Sequence, residues 1–200
     1  MRRAALLAVA VACVPFRLVQ AAAPNGWFTA GSAPQYYSVD TDTSVAYLGK
    51  PSVRLASAAA NPSGFVTVMQ SFLPDHYKGK RVRFSGFVKS DGAQGWAGLW
   101  MRIDSGYLTA AFDNMSGRPV KGTSDWTPYS VVLDIGQSAT GINFGILLDG
   151  VGTVWLSGAK FEVVDSTVPV TDIVGTPSEP ANLDFRPKQS DTVDGDPSGQ

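Results

Sequence analysis

Two neighbouring stretches decide the fold: Arg81-Val82-Arg83-Phe84-Ser85-Gly86-Phe87-Val88-Lys89-Ser90, then Trp96-Ala97-Gly98-Leu99-Trp100-Met101-Arg102-Ile103-Asp104. In an extended strand successive side chains point to opposite faces, so each stretch separates into two sets. In the first, Val82, Phe84, Gly86 and Val88 oppose Arg81, Arg83, Ser85, Phe87 and Lys89. In the second, Leu99, Met101 and Ile103 oppose Trp96, Gly98, Trp100, Arg102 and Asp104. One apolar set facing one mixed set is the pattern of a sheet with a single face on a core.

Outward from there, further short runs carry the same alternation: Trp27–Ala30, Tyr36–Val39, Ser52–Ser57, Gly64–Phe72, Leu108–Asp113, Thr127–Asp134, Gly141–Leu148 and Thr153–Val164. Asn61-Pro62-Ser63-Gly64, Asp91-Gly92, Asp104-Ser105-Gly106 and Asp149-Gly150-Val151-Gly152 separate them as turns. No stretch between 27 and 164 keeps a helical apolar period for three turns. About ten short strands without intervening helices predict an all-β, antiparallel β-sandwich, with 103–113 its clearest hairpin.

Composition narrows the function. Charged residues are 16% of the 200 and the formal net charge is −1, so no basic field is available for nucleic acid phosphates. One Cys and one His leave no basis for a zinc finger, an iron–sulfur site or a multi-histidine centre.

Both ends differ from the middle. Met1-Arg2-Arg3, the apolar run Ala4–Val14 and the small residues Ala21-Ala22-Ala23 form the pattern of a secretory signal peptide, expected to be cut after Ala21. The run is too short to span a bilayer, so no membrane span is expected after cleavage. Without residues 1–21 the chain holds 13 basic and 17 acidic residues and no cysteine, and the expected location is periplasmic or secreted. Cys13 as a lipidated residue is the alternative, on a weak match at Ala10-Val11-Ala12. Residues 165–200 hold five Pro, seven acids and two basic residues, a composition that predicts a disordered acidic tail or linker. The expected organisation is thus a signal peptide over 1–21, a folded domain over 22–164 and a tail over 165–200.

The mixed face of the 96–104 strand is the candidate site. Two indoles with a glycine between them offer apolar planes, and a sugar ring presents a matching flat patch of C–H groups. Arg102 and Asp104 would supply directed hydrogen bonds to its hydroxyls. This face, taken with the resemblance described next, gives the candidate ligand-binding residues Trp96, Trp100, Arg102, Asp113 and Asn114. The competing reading has a loop covering Trp100 while Arg102 pairs with Asp104 or Asp113.

These residues also carry a resemblance. Gly79–Lys89, Gly95–Arg102, Ala111–Met115 with Arg118-Pro119, Gly122–Trp126, Phe144–Leu148 and Val154-Trp155-Leu156 resemble a bacterial jelly-roll domain of the galactose-binding-like superfamily. Similar domains occur after AraC-type regulators, beside secreted hydrolases and among carbohydrate-binding modules. The resemblance covers about 27–164 and implies the jelly roll far more firmly than any ligand. Modules of this kind often follow the last-strand Trp-aliphatic pair with an Asp that helps a structural calcium site. Here Ser157 follows Trp155-Leu156, which lowers that expectation and assigns no metal ligand.

Catalysis has little support. Glycoside hydrolysis needs two carboxylates about 5–10 Å apart across a cleft, and Asp104 with Asp113 is the best available pair. His76, beside Asp75 in a loop, is the only imidazole, and no nucleophile elbow accompanies it. The expected function is an exported, non-catalytic module that recognises a carbohydrate, without a cofactor. The alternative is a structural or protein-interaction module of the cell envelope, with the acidic tail as its tether. A leader without DNA-binding helices excludes a regulator role for this chain itself and puts sugar recognition ahead of transcription.

Overall fold

A computed structural model describes residues 23–174; the expected leader, Cys13 and the chain after 174 lie outside the described residues. Nine strands follow in order: β1 (Phe28–Ala30), β2 (Tyr37–Tyr47), β3 (Lys50–Ser57), β4 (Phe65–Phe72), β5 (Arg81–Ser105), β6 (Leu108–Asp113), β7 (Val120–Asp134), β8 (Gly141–Asp149) and β9 (Thr153–Val164). A three-residue 3-10 turn, Pro34–Tyr36, is the only helical element among the described residues.

Every pairing is antiparallel, in the order β1-β4-β8-β5-β9-β3-β2, with β6 and β7 also on β5. The first half of β5, Arg81–Asp91, pairs with β9, and β7 lies along it. Its second half, Trp96–Asp104, pairs with β8, and β6 joins at Met101–Ser105. The sheet therefore folds over along β5 into two layers. One contains β1, β4, β8, the second half of β5 and β6; the other contains β2, β3, β9, the first half of β5 and β7.

This is the all-β antiparallel sandwich that the alternation predicts, with the jelly-roll form that the resemblance implies and nine strands instead of ten. The two stretches around residue 91 are one strand that bends without reversing. The register against β7 slips between Ser90, Ala93 and Ala97, which lets β5 leave one layer and enter the other. Glycines make this corner possible. A Cβ on Gly152 would lie 2.6 Å from the Cα of Ala93, and one on Gly95 would lie 2.3 Å from the carbonyl oxygen of Asp149. The Gln94 amide then donates to the Val151 carbonyl at 2.9 Å and ties the corner to the β8–β9 loop.

Between the layers lies one core. Phe84, Leu55, Leu99, Met101, Ile103, Ile142 and Ile146 are fully buried, as their alternation requires. The Phe144 ring of β8 meets Phe84 at 4.7 Å, Phe161 at 5.0 Å and Trp27 at 5.5 Å. Such edge contacts add about 0.5–1.5 kcal/mol each to the area buried.

The folded unit runs past 164, where the composition suggested a tail. The Arg81 guanidinium donates to the carbonyls of Ser166 and Val168. Thr171 exchanges bonds with Val132, its amide donating to the Val132 carbonyl at 2.8 Å and its hydroxyl accepting the Val132 amide at 2.9 Å. Ile173 N–H donates to the Phe112 carbonyl at 2.8 Å, and Asp172 Oδ1 accepts the Phe112 amide at 2.9 Å. Residues 165–174 thus form a strap that satisfies exposed backbone groups of β7 and β6. The acidic composition concealed it because backbone bonding to an edge strand demands little apolar surface.

Candidate functional site

The outer face of the β1-β4-β8-β5-β6 layer holds an open groove of about 530 Å³. Its floor comes from the middle strands. Trp100 of β5 lies opposite Gly145 of β8, and Gly145 lies opposite Met69 of β4. With no side chain at 145, the indole reaches across β8, and its Nε1–H donates to Thr67 Oγ1 on β4 at 2.7 Å. The Thr67 hydroxyl in turn donates to the Ile146 carbonyl at 2.8 Å. Trp100 is only 7% exposed, so it is a fixed floor and not the half-exposed platform that alternation suggests.

Walls rise from the edge strands, Ala30 and Gly31 on the β1 side, Phe112 and Asn114 on the β6 side. Trp96 closes one end near Phe65. Its Nε1 is buried and has no hydrogen-bond partner, the only side-chain nitrogen or oxygen in that condition among the described residues. An unmet buried donor costs about 1–3 kcal/mol, so it stands out in an otherwise satisfied fold. The run from Trp96 to Arg102 on one strand spans about 20 Å.

Arg102 sits at the other end, opposite Phe112 on β6 and Asn143 on β8. Its Nε and Nη2 donate to the two oxygens of Asp104 at 2.7 and 3.0 Å, and Asn143 Nδ2 donates to Asp104 Oδ2 at 2.8 Å. The guanidinium is held flat and locally neutralised, with its side chain still 44% exposed. The pairing that competed with a ligand role is therefore present, and it leaves Nη1 without a partner among the described residues.

Of the five residues picked from sequence, Trp96, Trp100, Arg102 and Asn114 line one groove. Asp113 does not. Its register partner is the core residue Met101, so it points into the sandwich, fully buried. There it accepts two bonds from Arg118, at 2.6 and 3.2 Å, and the Met115 amide at 2.7 Å. This carboxylate fixes the 113–118 turn and has no access to a ligand in the groove. The same register removes the candidate acid pair: Asp104 lies on the outer face with Arg102, Asp113 on the inner face with Met101. Two carboxylates on opposite faces of one sheet cannot flank a bond in one cleft.

Alternation missed the floor residues Thr67 and Leu147 and the wall residue Phe112. In β8 the alternation does set Asn143, Gly145 and Leu147 against the core residues Ile142, Phe144 and Ile146, but in β4 both sets are largely apolar, and no period within a strand shows that β4 and β8 lie beside Trp96–Asp104. Among the described residues no group of three or more His, Cys, Asp or Glu could hold a metal ion. Ser157, where a calcium-assisting acid was considered, uses its hydroxyl on the carbonyls of Lys50 and Pro51.

Fold and groove together define the class: an antiparallel β jelly roll with an aromatic-lined groove on one sheet. Among solved structures it is similar to the CBM22-1 xylan-binding domain of Paenibacillus barcinonensis Xyn10C, at TM-score 0.53 and 17% identity, covering 74% of this chain and 91% of that one. It is also similar to the enzymatically active domain of tailspike protein 4 of bacteriophage CBA120, at TM-score 0.55 and 12% identity, covering 70% of this chain but 20% of that one. In sequence it is similar to YbfP of Bacillus subtilis (strain 168), described as an uncharacterised HTH-type transcriptional regulator. The two are 42% identical over 166 residues, 80% of this chain. The chain spans 56% of that relative's length. No family model matches.

Proposed function

We propose that this chain is a non-catalytic binding module that holds a carbohydrate in the Trp96–Trp100–Arg102–Asn114 groove. The observation that carries this reading is the groove itself: a recess of about 530 Å³, walled by aromatic and aliphatic side chains with a few convergent polar groups. The xylan-binding fold neighbour supports it at the level of architecture. The basic start and apolar run of residues 1–21 support export to a periplasmic or secreted location, where polysaccharides are met.

Trp96→Ala tests the reading, because Trp96 is less deeply packed than Trp100 and its removal spares the floor. On a broad glycan array the wild-type chain is expected to retain a defined set of glycans, and the variant to lose at least about tenfold in affinity for them. Folded wild-type protein that retains none overturns the reading and moves attention to a protein-interaction role in the cell envelope.

A second reading rests on the 42% identity to an HTH-type regulator. In it the same groove is the ligand-sensing part of a regulator-like protein inside the cell. Cell fractionation separates the two: recovery of the chain in the cytoplasm, with residues 1–21 uncut, favours the sensor over the exported module.

A further inference from the structure

We propose, resting on the carbohydrate reading of the groove, that its ligand is a sugar carrying an acetamido group. The inference comes from the hydrogen-bonding groups that the groove leaves over. Asn114 Oδ1 accepts the Ser116 amide at 3.2 Å. An amide N–H can only donate, which fixes the orientation of the Asn114 carboxamide and leaves its NH₂ as the free end. Arg102 spends Nε and one Nη2 hydrogen on Asp104 and keeps Nη1. Trp96 Nε1–H has no acceptor but is itself buried, so it is not among the groups open to a ligand. The hydroxyl of Thr67 is already engaged both as acceptor and as donor.

The open side-chain groups left over are therefore donors: the Asn114 carboxamide NH₂ and the Arg102 Nη1. A polyol, whose hydroxyls must both give and receive, is matched incompletely by such a set. An acceptor-only group is matched well. A carboxylate would qualify by hydrogen bonding, but Asp104 lies against the same guanidinium and supplies the opposing charge. A neutral carbonyl oxygen meets the donors without that repulsion. The remaining lining, Phe65, Met69 and Leu147, is apolar and suits a methyl group. Carbonyl oxygen and methyl on one small substituent describe an acetyl group, and a linear chain of N-acetylated sugars, in which it recurs on every ring, suits a groove about 20 Å long.

Calorimetric titration of the full chain against four oligosaccharides tests this. Chitotetraose and cellotetraose share backbone and linkage and differ at one position of each ring, acetamido against hydroxyl. The deacetylated chitosan tetramer replaces the acceptor with a cationic donor, and tetragalacturonate carries carboxylates. The expected result is chitotetraose at least tenfold tighter than each of the others, since a site built to bond a group rejects the analogue lacking it. In Asn114→Asp the Ser116 amide keeps its acceptor while the free donor becomes an acceptor. That variant is expected to unfold at the wild-type temperature and to narrow the chitotetraose preference to about threefold or less.

Cellotetraose binding as tightly as chitotetraose overturns the acetamido assignment and leaves the carbohydrate reading standing. Tetragalacturonate binding tightest overturns it in favour of a carboxylate. An unchanged preference in the folded Asn114→Asp variant overturns the donor argument. No binding to any of the four, together with a blank glycan array, overturns both readings.

Discussion

The two outer faces of the sandwich carry similar amino acids and do different things with them. Each has indoles and cations from alternating strand positions. On the β2-β3-β9-β7 side the rings satisfy one another: Tyr47 stacks on Phe87 at 4.0 Å and leans on Trp126 at 5.6 Å. Trp155 Nε1 donates to Asp42 Oδ2 at 3.0 Å. Cations are matched across strands, Arg54 with Asp40, Arg83 with Glu162 and Lys89 with Asp125. On the groove side the strands place Gly145 beside Trp100 and leave a recess, with Trp96 unpartnered and Arg102 bound along one edge only. Aromatic content is therefore a poor guide to a site. What distinguishes one is the cross-strand neighbour, which fills the space on one face and leaves it open on the other.

That contrast can be broken or sharpened by experiment. The largest effect is expected from Arg118→Ala, which strands the fully buried Asp113 carboxylate. The loss should be about 3 kcal/mol in urea denaturation, toward the low end for a broken buried pair because Arg118 is partly solvated. Ligand affinity of the molecules still folded should stay within about twofold; a selective loss of binding would return Asp113 to the site.

Next comes a matched pair, Trp100→Phe and Trp155→Phe. Each removes one indole hydrogen bond, worth about 1 kcal/mol of stability. Only the first is expected to weaken the groove's ligand. Equal effects on binding would mean that the second face also takes part.

A smaller effect concerns pH. Asp42 is held at about 2 by bonds from the Ser44 hydroxyl and the Val45 amide, with help from Trp155. Its ordinary value is 3.8, so the unfolded chain takes up the proton first as pH falls. The stability that Asp42 contributes is whole above about pH 4 and is lost as pH drops through 2. Asp42→Asn should flatten the acid limb of melting temperature against pH in that window while groove binding at neutral pH is unchanged.

Smallest of all is Asp172→Ala, which frees the Phe112 amide. Faster hydrogen exchange at Phe112, with global stability lowered by about 1 kcal/mol or less, is the expected outcome. Because Phe112 walls the groove, a modest loss of affinity should follow; unchanged exchange would mean that the strap does not hold that edge.

Much of the fold was legible before any coordinates. Alternation placed Val82, Phe84 and Val88, and then Leu99, Met101 and Ile103, on the core side, and all are buried. The bend was not legible, because Asp91-Gly92 has the residues of a reversing turn. Its actual course depends on Gly152 and Gly95, which meet residues far away in sequence. Asp113 was misplaced for a related reason. A carboxylate at the end of a hairpin reads as solvent-facing, and the compensating Arg118 reaches it only because the 113–118 turn closes back on the strand.

By itself the sequence determined the strand periodicity, the antiparallel all-β class and the strand whose outward face bears Trp96, Trp100 and Arg102. Those follow from local rules, since a period of two fixes which side chains share a face. Only the tertiary structure decided that Gly145 and Thr67 would meet Trp100, that Asn143 would reach Asp104 from β8, and that 165–174 would strap β6 beside the groove. A recess and its unsatisfied donors are properties of neighbours brought together across strands, and the order of strands in a sheet is not written in the period of any one of them.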